Sequence, residues 1–204
     1  MEERLRTTAW LALVLVAACG GRAAPPTPEE SQNRPPPDLT GSSVMVLPAQ
    51  PAAGSSALRE PVPGLDREIA YWLAERAPRV RWVFPDQIQR ALARSPSIEV
   101  DIYALNVSIF HRAQVENIGD PLFGQLHAVA TLVGARYALI PVAAGYVAND
   151  AAADSGRVEM HVALIDTRGG RVLWFGAAAG QPGPENGAGV VASAAGALAD
   201  LLAR

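Results

Sequence analysis

The residues able to do chemistry in this chain are few and scattered. Cys19 is the single cysteine of 204 residues, so its thiol has no partner for an intramolecular disulfide. The three histidines, His111, His127 and His161, fall on separate segments. None stands at the HxxxH or HxH spacing that would set two imidazoles on one metal. Ser108 and Ser193 lack the strand-turn-helix context of a nucleophile elbow, which leaves only a Ser/His/Asp site assembled in space. Asp150 and Asp154 share a loop with Asn149 and Ser155, but calcium needs six or more oxygens and their order is not that of an EF-hand. The string Gly187-Ala188-Gly189-Val190-Val191-Ala192 matches the GxGxxA dinucleotide fingerprint. Only 15 residues follow Gly189, and they read as one helix. The strand and the acidic residue that should come about 20 positions on are therefore missing. The string is better read as a flexible helix start whose small residues pack closely. Neither a cofactor nor a metal site is expected.

Composition narrows the field further. All 17 basic residues are arginine, so Schiff-base, phosphate-loop and Ser–Lys chemistry have no lysine to use. The net charge of −3 argues against a nucleic-acid partner. Half of the residues are apolar, enough for a substantial core.

Cys19 acquires a meaning from what precedes it. An apolar run from Ala9 leads to Val16-Ala17-Ala18-Cys19, followed by Gly20-Gly21. The run is too short to span a bilayer, and the small residues before the cysteine leave room for a peptidase. This reads as a bacterial lipoprotein signal over 1–18, with Cys19 as the lipidated first residue of the mature chain. Gly20 stands where an aspartate would favour inner-membrane retention, so an outer-membrane anchor facing the periplasm is expected. Residues 19–43 then form a tether with Pro25-Pro26, Pro28 and Pro35-Pro36-Pro37. In polyproline II form, at about 3.1 Å per residue, it reaches some 70 Å from the lipid.

The elements that would position any site lie in 44–204, read as one α/β domain of about 160 residues. Val44–Leu47 is a short buried strand. Leu65, Ile69, Trp72 and Leu73 mark a helix that ends at Pro78. Val80, Trp82 and Phe84 alternate as a strand, and Pro85 opens a short helix with Ile88, Ala91 and Leu92 inward. Ile98–Gln114 reads as an extended or strand piece followed by a helical turn. Asp120-Pro121 predicts a helix start, with Asp120 as N-cap, and Gly134 predicts its stop. Tyr137–Val147 is continuous enough to be a central strand. Val158, Met160, Val162 and Leu164 alternate with Glu159, His161 and Ala163, and Arg171–Ala178 returns as the hairpin partner. Val190–Leu202 closes the chain as an Ala-rich helix with Val191, Ala194, Leu198 and Leu201 inward. Trp72, Trp82 and Trp174 all fall on inward phases. The expected architecture is a mixed sheet of four or five strands packed by three or four helices, ending in a β-hairpin and a helix.

The strings "VMVLPA", "VRWVFPDQIQRAL", "GDPLFGQLHAVATLVGARYALIPVAAGYV" and "VALIDTRGGRVLWFG", in that order behind a lipobox and tether, carry a resemblance. The chain resembles the small α/β domain of bacterial envelope proteins. These are the curli-secretion lipoprotein, the lipoprotein activators of penicillin-binding proteins, and the amino-terminal domain of the Tol–Pal propeller protein. The resemblance implies a non-enzymatic, membrane-anchored accessory factor that binds an envelope protein, a cell-wall synthase among the candidates. It also leaves open a subunit of a secretion or transport assembly, which would self-associate. A small-molecule binder or hydrolase is the third class, and it predicts a pocket with converging polar groups. No room exists for the long membrane-spanning hairpins of the curli pore, and the family has no catalytic residues to carry over. The loops Gln50–Pro63 and Asn149–Gly156 are the expected contact surfaces.

Overall fold

The computed structural model describes residues 35–50, 62, 64–111, 115–149, 155–185 and 187–203. Cys19, the expected signal segment and most of the expected tether lie outside them, as do Asp150, Asp154 and most of the loop after Gln50. Five strands form one sheet in the order β2-β1-β3-β4-β5. They are β1 (Ser43–Val46), β2 (Arg81–Val83), β3 (Tyr137–Ala148), β4 (Gly156–Asp166) and β5 (Arg171–Ala179). β1 runs parallel to both β2 and β3, whereas β3, β4 and β5 are antiparallel neighbours. The described helices are α1 (Leu65–Arg76), α2 (Pro85–Ala93), α3 (Leu122–Val133) and α4 (Ala188–Leu202). The mixed sheet with a C-terminal hairpin and helix is the architecture the sequence predicts.

Alternation along the strands divides the interior into two layers. Val44, Leu139, Met160, Val162, Leu164 and Trp174 face α1 and α4. Met45, Ala138, Ile140, Ala163 and Ile165 face α2, α3 and the segment 98–118. Both faces of the sheet are therefore covered, and β4 buries Ala163 and Ile165 as completely as Leu164. Each large side chain sealed this way contributes about 1.5–3 kcal/mol relative to exposure.

Pro141 sits inside β3, where a proline normally breaks a ladder. Leu139 and Pro141 turn their carbonyls towards β1, accepting from Leu47 and Gln50 N–H at 2.9 Å each. Pro141 therefore lies opposite the chain beyond β1, which ends at Val46, so its missing N–H falls outside the regular β1–β3 ladder. The central strand tolerates the proline for this reason, and the register shifts between Pro141 and Ala143.

The helix boundaries show what local chemistry decides. Pro85 opens α2, and Gln87 Oε1 accepts the Phe84 N–H at 2.9 Å, satisfying a first-turn donor. α3 begins one residue later than its sequence suggests: Pro121 takes the N-cap position. Asp120 still caps from outside, its Oδ1 accepting the Gly124 N–H at 3.0 Å. Gly134 ends α3 with φ 68°, the left-handed conformation that favours glycine.

Three other expectations shift. Of the two readings of 98–100 the strand does not form; the chain is irregular there, buries Ile102, Leu105, Val107 and Phe110, and makes the expected helical turn as a 3₁₀ turn at Ser108–His111. α4 buries Val190, Ala194, Leu198 and Leu202, while Val191 and Leu201 are half-buried, so its inward face is rotated from the expected one. Trp72 is only half-buried, with the Arg76 guanidinium 5.0 Å above its ring, whereas Trp82 and Trp174 are buried.

Candidate functional site

The chemistry-bearing residues picked from the sequence do not converge. Ser108 Oγ donates to Asn106 Oδ1 at 2.7 Å, a local turn contact. Ser193 Oγ donates to the Val190 carbonyl and accepts the Gln181 N–H, both at 2.9 Å, which ties the end of the hairpin to α4. His161 stands exposed on β4 with its ring 6.0 Å from that of Phe175. His111 belongs to the 3₁₀ turn. Gly187 is the N-cap of α4, in extended conformation, and Gly189 faces open space. Among the described residues, no three His, Cys, Asp or Glu side chains gather as a metal site would require. Asn149 N–H donates to the Ser155 carbonyl at 2.7 Å, closing the base of the loop between β3 and β4.

His127 belongs to a different arrangement. Beyond the ends of the sheet where β1 and β3 begin, a cleft of about 520 Å³ opens against the C-terminal turn of α3. Parallel pairing places Ser43 opposite Arg81, so both side chains leave the same face of the sheet. Arg136 and Tyr137 arrive from the start of β3, and Thr167 and Arg168 from the β4–β5 turn. His127 and Thr131, four positions apart on α3, line the opposite wall.

Hydrogen bonds fix this rim. His127 Nδ1 lies 3.0 Å from the Thr167 carbonyl. A carbonyl only accepts, so Nδ1 is the donor in this contact. Thr167 Oγ1 donates to the Arg136 carbonyl at 2.9 Å, and Thr131 Oγ1 to the His127 carbonyl at 2.8 Å. Arg136 Nη2 donates to Asp166 Oδ2 at 3.0 Å, while Asp166 Oδ1 accepts the Arg168 N–H at 2.9 Å. The hydrogen bond to Asp166 and its charge push the Arg136 pKa further above its ordinary value. Arg81 Nη2 reaches the Gly134 carbonyl only at 3.4 Å. Ser43 Oγ is buried and has no hydrogen-bond partner among the described residues.

Such a cleft is rich in donors and has little acid–base capacity. Guanidinium groups stay protonated in water and serve as fixed cations for oxyanions. The three arginines, Arg81, Arg136 and Arg168, come from three distant segments. In the sequence they are indistinguishable from the other fourteen basic residues, and only the strand register brings them together.

No family model matches the chain, and no curated protein sequence matches it. Several solved structures are similar to it. The lipoprotein GNA1162 of Neisseria meningitidis aligns with TM-score 0.45 at 16% identity, covering 79% of this chain and 98% of that one. The LpoB C-terminal domain of Salmonella enterica aligns with TM-score 0.41 at 16% identity, covering 70% and 84%. The PelC dodecamer of Paraburkholderia phytofirmans gives TM-score 0.38 at 14% identity, covering 83% and 91%.

Proposed function

We propose that this protein is a lipid-anchored accessory factor of the bacterial cell envelope that works by binding a protein partner in the periplasm, without catalysing a reaction. The observation that carries the reading is the lipobox ending at Cys19, set ahead of a Pro-rich tether and one α/β domain spanning 44–204. Acyl chains on Cys19 hold the domain at the outer membrane, and the tether sets how far it reaches. Confinement to one membrane face raises the domain's effective concentration for partners that lie within that reach. The chemistry of the arginine-lined cleft supports binding: it offers fixed cations and hydrogen-bond donors suited to holding a ligand.

The test is crosslinking in living cells, followed by solubilisation of the envelope and mass spectrometry of what is captured with the lipidated protein. Recovery of a cell-wall synthase or another envelope machine supports the reading and identifies its target. Ladders made only of this chain overturn it in favour of a self-assembling subunit.

A further inference from the structure

The cleft beneath α3 is more specific than a generic basic patch. The chain as a whole carries a net charge of −3, yet three arginines, Arg81, Arg136 and Arg168, line this one cleft. The acid beside them, Asp166, is already committed to Arg136 and to the Arg168 N–H. Among the described residues, the Arg81 and Arg168 side chains have no acidic partner at all. Two arginines of this cleft thus carry charge that no ion pair among the described residues offsets.

The other wall carries the opposite polarity. α3 ends here, so the negative end of its dipole and the Gly134 carbonyl look onto the cleft. Among the described residues, only the long Arg81 contact touches that carbonyl from a side chain. A phosphate dianion would be attracted by the arginines and repelled by these carbonyls, and it has no N–H groups to offer them. A polypeptide carrying an acidic residue satisfies both walls: its carboxylate meets the guanidiniums, and its amide N–H groups meet the carbonyls. The cleft is open rather than enclosed, as a chain passing through requires.

We propose that this cleft receives an acidic segment of the protein partner, its carboxylate held by Arg81 and Arg168. The proposal rests on the reading of the protein as a partner-binding factor and names the chemistry the partner must present.

The experiment titrates the full chain in mild detergent against a fluorescein-labelled octapeptide of alternating glutamate and alanine, read by fluorescence anisotropy. A second octapeptide has glutamine in place of each glutamate. The glutamate peptide should bind at least tenfold tighter than the glutamine peptide and lose affinity as salt is raised. The double variant Arg81→Gln, Arg168→Gln should weaken it tenfold or more. The pair Arg67→Gln, Arg90→Gln, which removes the same charge from exposed positions outside the cleft, should leave it unchanged. Circular dichroism confirms that each variant is folded. Amide shift mapping on the unaltered chain should then move Ser43, Thr131, Gly134 and Thr167.

Equal binding of the two peptides, equal losses in the two double variants, or shifts confined to other surfaces would each overturn the proposal. So would displacement of the peptide by millimolar inorganic phosphate at constant ionic strength, which would assign the cleft to phosphate. Cell crosslinking does not depend on this cleft. A partner captured there without peptide binding here would sink the acidic-segment proposal alone.

Discussion

The side-chain amide of Gln50 donates to the Ile102 carbonyl at 2.9 Å, joining chain segments 52 positions apart. The same amide donates to the Pro48 carbonyl at 2.7 Å, and its oxygen accepts the Leu105 N–H at 2.8 Å. Gln50 is buried, and so is Leu105, so these backbone groups have no access to water as a substitute. This one residue therefore lets the irregular segment after α2 lie against the sheet without orphaned donors or acceptors. Gln50→Ala should destabilise the protein by about 3 kcal/mol, the scale of losing more than one buried hydrogen bond. Urea denaturation measures it, and a loss below about 1 kcal/mol would mean that water replaces the amide.

Asp66, in the first turn of α1, accepts the Ala49 N–H at 2.8 Å. Burial raises its pKa above the ordinary 3.8, and the hydrogen bond from Ala49 only partly opposes the shift. Between 3.8 and the raised value the folded chain holds more protons than the unfolded one, so this residue's contribution falls as pH rises through that window. At neutral pH the burial of its charge opposes folding in full. Asp66→Asn keeps the acceptor for Ala49 and removes the charge. The variant should gain melting temperature over the parent at pH 7, and the gap should close on acidification towards pH 4. A gap that stays constant with pH would show that Asp66 is not the titrating group.

Two glycines should respond to alanine for different reasons. A Cβ at Gly180 would stand 2.8 Å from both the Ala194 nitrogen and the Val190 carbonyl oxygen, so α4 would have to move away from the sheet. Gly180→Ala should cost about 1–3 kcal/mol through overpacking. At Gly134 nothing lies within 4 Å, and only the positive φ resists a side chain. Gly134→Ala should cost about 1–2 kcal/mol. Gly134→Asn should recover part of that loss, because asparagine tolerates the left-handed region, whereas no substitution should rescue Gly180. Thermal denaturation of the three variants tests the distinction.

Cys19→Ser removes the thiol that the lipidation reading requires. The variant should leave the detergent phase in a phase-partition assay, and the parent's mature amino terminus should carry acyl mass in intact mass spectrometry. A parent protein that partitions into the aqueous phase would end the anchor hypothesis and, with it, the concentration argument for partner binding.

Much of the fold was legible because polar and apolar residues alternate with high contrast where it mattered. Val158 to Leu164 reads as a strand because Glu159 and His161 interrupt it, and Pro85 and Gly134 mark helix ends by backbone chemistry alone. α4 was legible as a helix but not in its rotation, since alanines on every side leave the pattern without contrast. Val190 and Leu202 then went inward where Val191 and Leu201 were expected. The 98–118 segment hid its role because its burial follows from Gln50 and α3, which lie far away in sequence. The arginine-lined cleft was invisible for the same physical reason. Ser43 meets Arg81 through strand pairing, and nothing local to either residue announces the other.

β1 is the first strand of the chain, and it lies second in the sheet with β2 on one side and β3 on the other, both parallel to it. A pull transmitted from a fixed membrane anchor would therefore run along this strand and load both hydrogen-bonded ladders in shear. An edge strand would instead be peeled away one bond at a time. In the anchored form proposed above, the sheet order would thus place mechanical resistance at the strand on which the anchor pulls.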